Sequence, residues 1–243
     1  NEAHWVGTVT ADPPLTSVQD REAVRAILGS MNCTPLFLEE DVLRAHYLGM
    51  CKQILWPAFH NVDLMDISRG GLSSTSNMDG RFGPGFAAVT VGGTKTWAQG
   101  QFGSCWLESY KAVNGAFAAF VSSGDLVKPG DVMWVHDYHL ALLPQLCYDH
   151  EVSKYGMPVT KKIFFLHIPF CSSGTFKELE AGELILKGML HADVVGFHTF
   201  DYARHFLSAA KRLAGVNYES LVGGLIGLKF RGRTVLVTMH NVS

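Results

Sequence analysis

Three short apolar runs, each cut off by a histidine, set the rhythm of the second half of the chain. Asp131-Val132-Met133-Trp134-Val135 halts at His136-Asp137-Tyr138-His139, Lys162-Ile163-Phe164-Phe165-Leu166 halts at His167, and Ala192-Asp193-Val194-Val195-Gly196-Phe197 halts at His198-Thr199. From Val132 to Ile163 is 31 positions, and from Ile163 to Val194 again 31, the length of one strand–helix–strand unit. The runs are continuously apolar rather than alternating, which suits parallel strands covered on both faces. The pattern predicts an α/β fold with a parallel sheet and flanking helices.

The stretches between the runs support helices. Leu140 to Leu146 is apolar enough for a short buried helix. Phe176 to Leu190 sets Leu179, Leu186, Met189 and Leu190 at helical spacing, with Ser172, Ser173 and Thr175 available as caps. Asp201 is placed to cap a helix whose apolar face includes Phe206, Ala210 and Leu213, with Gly215 just past its end. Upstream, Glu39 to Leu55 reads as a helix ending at Trp56-Pro57, and Leu107 to Val121 as another. Gly224 to Met239 reads as a β-hairpin turning at Arg231-Gly232-Arg233. Ser68 to Gly103 is different: rich in Gly, Ser, Asn and Thr, without periodicity, it is expected to be a long irregular insertion with a short strand at Ala87 to Val91. Good helices flank it, so residues 1–243 are read as one domain carrying this insertion at 68–103.

Composition narrows the function. The chain has 243 residues, 47% hydrophobic and 17% charged, which excludes a disordered chain. With 20 Lys and Arg against 22 Asp and Glu, it has no basic excess to neutralise nucleic-acid phosphates. No apolar run approaches the roughly 20 residues that cross a bilayer, and Asn1 to Trp5 shows no signal peptide. The absence of an initiator Met suits a piece of something longer. Five unpaired-looking cysteines, at 33, 51, 105, 147 and 171, without any CxxC, suit reduced thiols in the cytoplasm. The sequons at Asn32 and Asn241 are then chance matches.

In an open parallel sheet, ligands occupy the crevice beyond the carboxyl ends of the strands. His136, Asp137, His139, His167 and His198 should gather along that edge. Two functional readings compete there. The histidines and Asp137 could bind a metal, although side chains on a strand-to-helix turn diverge and no compact second ligand motif accompanies them. Alternatively, Asp137 accepts hydrogen bonds from sugar hydroxyls and histidines donate them. Taken singly, His136 and His198 are read as histidines bonded into the sheet edge; Asp137 and His167, next to tight turns, are not. Tyr47 and Trp56, nine positions apart, share a side only if their helix continues regularly. Aromatics with polar tips suit a sugar or phosphate wall, and core packing is the plainer reading. Helix residues Arg204, His205, Lys211 and Arg212 read as a solvated face. None of the glycine pairs reads as a phosphate loop.

Several motifs in order resemble the trehalose-6-phosphate synthase family: Trp134-Val135-His136-Asp137-Tyr138-His139-Leu140, Phe165-Leu166-His167-Ile168-Pro169-Phe170, and Val195 through Leu207. Cys51 through His60 is similar to the same family, and Tyr218-Glu219-Ser220 with Ile226-Gly227-Leu228 and Gly232-Arg233-Thr234 resembles its plant-type members. The resemblance covers Met31 to Asn61 and Cys105 to Val237. It implies half of a GT-B glycosyltransferase, the Rossmann-like amino-terminal acceptor domain, with the carboxyl-terminal nucleotide-sugar domain absent. It further implies glucose transfer from UDP-glucose to glucose 6-phosphate with retention, no metal and no cofactor. Carried over by position, Tyr47, Trp56 and Asp137 fall on acceptor-sugar positions, and His167 on a histidine contacting the transferred glucose.

The chain also departs from that family. Its opening strand, with Ser-Asn-Arg, is not found. Cys171 stands at a usual Pro, Leu179-Glu180-Ala181-Gly182-Glu183 replaces Leu-Pro-x-Arg-Glu, and Met239 through Ser243 replaces Pro-(Ile/Val)-Gly. The isolated domain is therefore expected to be inactive. The alternative is a catalytically degenerate regulatory or sugar-phosphate-sensing member. A homo-oligomer or synthase complex stays open, and nucleic acid and membrane are not expected partners.

Overall fold

The computed structural model describes residues 3–11, 15–62, 101–123, 126–222 and 225–240, with the side chains of 101–105 excepted. Strand β1 (Trp5–Thr8) pairs in parallel with β2 (Cys33–Leu36) across helix α1 (Val18–Gly29), whose first turn is capped by Ser17 accepting from Asp20 N at 3.0 Å. The hydrophobic pattern does not reveal this unit, because both strands are only four residues long and β1 is mostly exposed. Next come α2 (Glu40–Arg44), a π-helix (Ala45–Leu55) and α3 (Trp56–Phe59), so the helix expected to stop at Trp56-Pro57 runs on one more turn. Pro57 is tolerated there because it sits in the first turn of α3, where its missing N–H is not required.

Helix α4 (Gln101–Ser123) begins within the last residues of the expected insertion. The rest of 68–103, including the strand expected at Ala87 to Val91, lies outside the described residues, as do Gly223-Gly224 and the tail from Asn241. Six strands then form the main sheet: β3 (Val132–His136), β4 (Lys161–Leu166), β5 (Val194–Phe197), β6 (Tyr218–Ser220), β7 (Ile226–Phe230) and β8 (Arg233–Met239), in the order β3-β4-β5-β8-β7-β6. The first four in that order are parallel; β7 and β6 are antiparallel additions, with the expected hairpin at β7–β8.

Helices α5 (Leu143–Tyr155), α6 (Ser173–Glu178), α7 (Gly182–Leu190) and α8 (Phe200–Ala214) complete the described chain. Three expectations need correction. The helix after β3 starts at Leu143, not Leu140, because Tyr138–Leu140 is spent on a 3₁₀ turn and Pro144 suits a first helical turn. The stretch 176–190 is two helices: Leu179 is extended at ψ 115°, and the Gly182 backbone doubles back so closely that a Cβ would stand 2.5 Å from the Phe176 carbonyl oxygen. Thr199, not Asp201, caps α8, its hydroxyl accepting from Tyr202 N at 3.4 Å. Asp201 pairs instead with exposed Arg204.

Register explains where the core lies. Val135, Phe164, Val195 and Val237 form one row across four parallel strands, and all are buried. The adjacent row, Trp134, Ile163, Val194 and Leu236, faces the other way. On that side the edge strand is open: Val132 and Trp134 are 62% and 57% exposed. The continuous apolar runs supply apolar groups to both faces, but on β3 only one face is covered.

Candidate functional site

β3 ends at His136, and the chain turns at Asp137 with φ 67° and ψ 172°, a backbone region that glycine occupies far more easily. The segment behind it is held from two helices. Tyr110 of α4 donates its hydroxyl to the Tyr138 carbonyl at 2.5 Å and accepts from Ala141 N at 3.2 Å. Asn114, one helical turn on, donates to the His139 carbonyl at 3.2 Å and accepts from Leu142 N at 3.1 Å. His46 Nε2 donates to the same His139 carbonyl at 3.0 Å. Tyr110, Asn114 and His46 are all buried. Polar groups in the core of α4 and the π-helix thus satisfy a loop that has no strand or helix to pair with. On the far side, Gly188 of α7 packs against this loop, and a Cβ there would collide with the Ala141 carbonyl oxygen.

Asp137 stitches the ends of β3 and β4 together. Its N–H donates to the Phe165 carbonyl at 2.8 Å, and its Oδ1 accepts from His167 N at 3.2 Å. Oδ2 lies 4.0 Å from His139 Nδ1, with the Asp137 side chain 21% exposed and His139 28%. His167 is exposed, and its Nε2 is 3.0 Å from His136 Nδ1, one nitrogen donating to the other. The His136 ring stacks with Trp134 at 5.1 Å and Trp5 at 5.9 Å between centroids. His136 therefore bonds to another histidine, not into the sheet edge as read from sequence. His198 lies 5.5 Å from the His167 ring and edge-on to Phe165 at 5.0 Å.

A fourth histidine at a strand end joins this edge, in addition to His136, His167 and His198. His240 follows β8 and donates its N–H to the Phe197 carbonyl at 3.0 Å. Sequence reading missed it because β8 looked like a hairpin strand; its parallel pairing with β5 is a long-range fact. Among the described residues, no group of three or more His, Cys, Asp or Glu is arranged to hold a metal ion.

Tyr47 and Trp56 are 45% and 39% exposed, so neither is simply core. A regular α-helix, with about 3.6 residues per turn, would set residues nine apart on opposite sides. The π-helix closes its bonds from i to i+5 and takes more residues per turn, so the two rings fall on one side. Regular winding would have separated them, the reverse of the sequence-based expectation. Lys52 marks the shared face: its Nζ lies 5.3 Å from the Tyr47 ring centroid and 4.3 Å from that of Trp56. Tyr47 stacks on His139 at 5.6 Å, and Trp56 meets Tyr138 at 6.2 Å. The four residues singled out from sequence therefore line one continuous wall: Asp137 and His167 touch directly, Tyr47 joins through His139, and Trp56 through Lys52.

Electrostatics keep much of this wall uncharged. Burial drives His139 down to about 4, against the pull of the Asp137 carboxylate and helped by His46 and Lys52. Its Nε2 has no hydrogen-bond partner, nor does the buried Tyr138 hydroxyl. Burial, then His167, lowers His136, with Asp137 opposing. The wall offers a carboxylate acceptor, imidazole nitrogens, two aromatic faces and one ammonium, a set suited to a polyhydroxylated anion.

The model of glycosyltransferase family 20 matches residues 93–243. The probable alpha,alpha-trehalose-phosphate synthase (UDP-forming) 11 of Arabidopsis thaliana is 37% identical over 239 residues, covering 97% of this chain and 23% of that protein. The chain thus spans about a quarter of the length of such relatives. The solved N-terminal domain of Candida albicans trehalose-6-phosphate phosphatase superposes with a TM-score of 0.70 at 25% identity, over 97% of this chain and 40% of that one. A Burkholderia xenovorans trehalose-phosphate synthase (UDP-forming), solved with glucose-6-phosphate, shares the fold with a TM-score of 0.62 at 23% identity, over 84% of this chain and 36% of that one.

Proposed function

This chain belongs to glycosyltransferase family 20, and from that we propose that it forms the acceptor-side domain of an alpha,alpha-trehalose-phosphate synthase. In the whole protein, glucose moves from UDP-glucose to glucose 6-phosphate with retention of configuration, without a metal or other cofactor. Tyr47, Trp56 and Asp137 bind the acceptor, and His167 contacts the transferred glucose. The observation that carries this reading is the Asp137–His167 junction: the ends of neighbouring parallel strands are joined by the His167 backbone N–H donating to the Asp137 carboxylate at 3.2 Å, which sets a partly exposed carboxylate beside an exposed imidazole. A retaining transfer passes through an oxocarbenium-like state, and aligning the acceptor hydroxyl lowers its barrier. Asp137 accepts that hydroxyl's hydrogen bond and His167 fixes the sugar beside it. Neither neutralises the departing diphosphate, which needs cations directed at it. The 243 residues alone are therefore expected to bind acceptor without appreciable turnover. The unpaired Cys33, Cys51, Cys147 and Cys171 support a cytoplasmic setting, and among the described residues no helix is long and apolar enough to cross a membrane.

Calorimetric titration with glucose 6-phosphate tests this reading. Binding should be lost in Asp137→Ala and kept in Lys211→Ala, a surface control; equal binding by both variants would refute it. The likeness to the amino-terminal domain of a phosphatase favours one second reading, a family member that senses sugar phosphate without transferring glucose. Transferase assay of the full-length parent separates the two, since both bind glucose 6-phosphate and only the first turns it over.

A further inference from the structure

Lys52 is not among the residues assigned to the acceptor, yet it lies within their wall. It stands between Tyr47 and Trp56 on the π-helix, with Nζ 5.3 Å and 4.3 Å from their ring centroids. Among the described residues, Lys111, Lys161, Lys162, Lys187 and Lys229 each meet a carboxylate within 4.0 Å, and Lys52 meets none. Among the described residues, the contacts of its half-buried ammonium are with aromatic faces, and such a contact is weaker than an ion pair with a dianion. Contacts give the wall an order: Asp137 is 4.0 Å from His139, His139 stacks on Tyr47 at 5.6 Å, and Tyr47 lies under Lys52. The carboxylate is thus at one end and the ammonium at the other. A sugar phosphate has the matching polarity, with hydroxyls that donate to a carboxylate and a dianion that demands a cation.

We propose that Lys52 holds the phosphate of the acceptor and makes this wall selective for phosphorylated over unphosphorylated sugar. The proposal rests on the acceptor reading given above. Of the residues in that reading, Asp137 is anionic and Tyr47, Trp56 and His167 bear no fixed charge, so none offsets a dianion. Lys52 is preorganised for the task. Its ammonium already lies by two rings, and exchanging a cation–π contact for charge-assisted hydrogen bonds to phosphate is favourable. The same Nζ also bears on His139, where its charge adds to the downward push of burial. His139 therefore stays neutral and does not compete as the phosphate's counter-charge.

The experiment follows the Trp56 indole N–H of the full 243-residue chain by NMR during titration with glucose 6-phosphate, glucose and UDP. In the unmodified chain, glucose 6-phosphate should bind at least about tenfold more tightly than glucose. Lys52→Gln should bring that ratio close to one, with glucose binding and the melting temperature unchanged. Lys52→Arg should restore the preference. Retention of the preference in Lys52→Gln overturns the proposal while leaving the acceptor reading intact, as does a loss confined to UDP. Failure of the unmodified chain to respond to glucose 6-phosphate removes the acceptor reading and this proposal together.

Discussion

Asp137 is held at φ 67° and ψ 172°, a conformation costing a non-glycine residue about 1–3 kcal/mol. Nothing in packing requires an aspartate there, since its carboxylate is partly open and its bond to His167 N is replaceable by water. The strain is offset by the cradle of Tyr110, Asn114 and His46 beneath the loop. Asp137→Gly should therefore raise stability by about 1 kcal/mol while abolishing glucose 6-phosphate binding. Thermal melts together with the titration check this, and a lower melting temperature would show that the carboxylate is structural. At this scale the sequence was informative where a polar residue interrupts an apolar run: Asp137 and His167 stand out at strand ends. It was uninformative for Asn114 and His46, which sit inside helix patterns and show their role only when the loop lies on them. Lys52 was equally hidden, because its meaning depends on which way two aromatic rings face.

Among the elements, α4 and the π-helix act as a platform for the loop after β3. Gly49 of the π-helix packs on the Trp106 ring, where a Cβ would come within 2.7 Å. Asn114 is the most exacting part of the platform, donating to Tyr110 O at 2.9 Å and to His139 O at 3.2 Å and accepting from Leu142 N at 3.1 Å. Asn114→Ala leaves the buried Leu142 N–H without its acceptor, while the His139 carbonyl keeps His46, and should cost about 1–3 kcal/mol in denaturant unfolding. It should also weaken sugar-phosphate binding without touching the ligand; unchanged stability would refute the platform role. The parallel strands were legible because continuous apolar runs at an even interval suit little besides buried strands joined by helical crossovers. The π-winding was not, since no local pattern distinguishes i→i+5 from i→i+4 bonding. Nor was the break at Leu179-Gly182, where apolar residues keep helical spacing across two separate helices.

The whole molecule couples its fold to its histidines. Burial lowers His46, His139 and His191, and burial with the neighbouring His167 lowers His136. For a histidine whose folded value lies below its unfolded one, the unfolded chain binds more protons between the two, so stability falls as pH falls through that window. For His139 the window runs from 6.5 down to about 4, a loss of roughly 3 kcal/mol from this residue. The melting temperature should drop steadily on acidification from neutral pH, and His139→Gln should flatten the drop; a melting temperature indifferent to pH would contradict this. The architecture itself followed from spacing and register, whereas the βαβ unit β1–α1–β2 lay below the threshold of any pattern. On the proposed function, a sugar phosphate sits against the carboxyl ends of β3 and β4. Amide and side-chain shifts of the isotopically labelled chain on adding glucose 6-phosphate test it most directly. The largest changes are expected at Asp137, His167, Tyr47 and the Trp56 indole. Shifts confined to another surface, or none at saturating ligand, would contradict it.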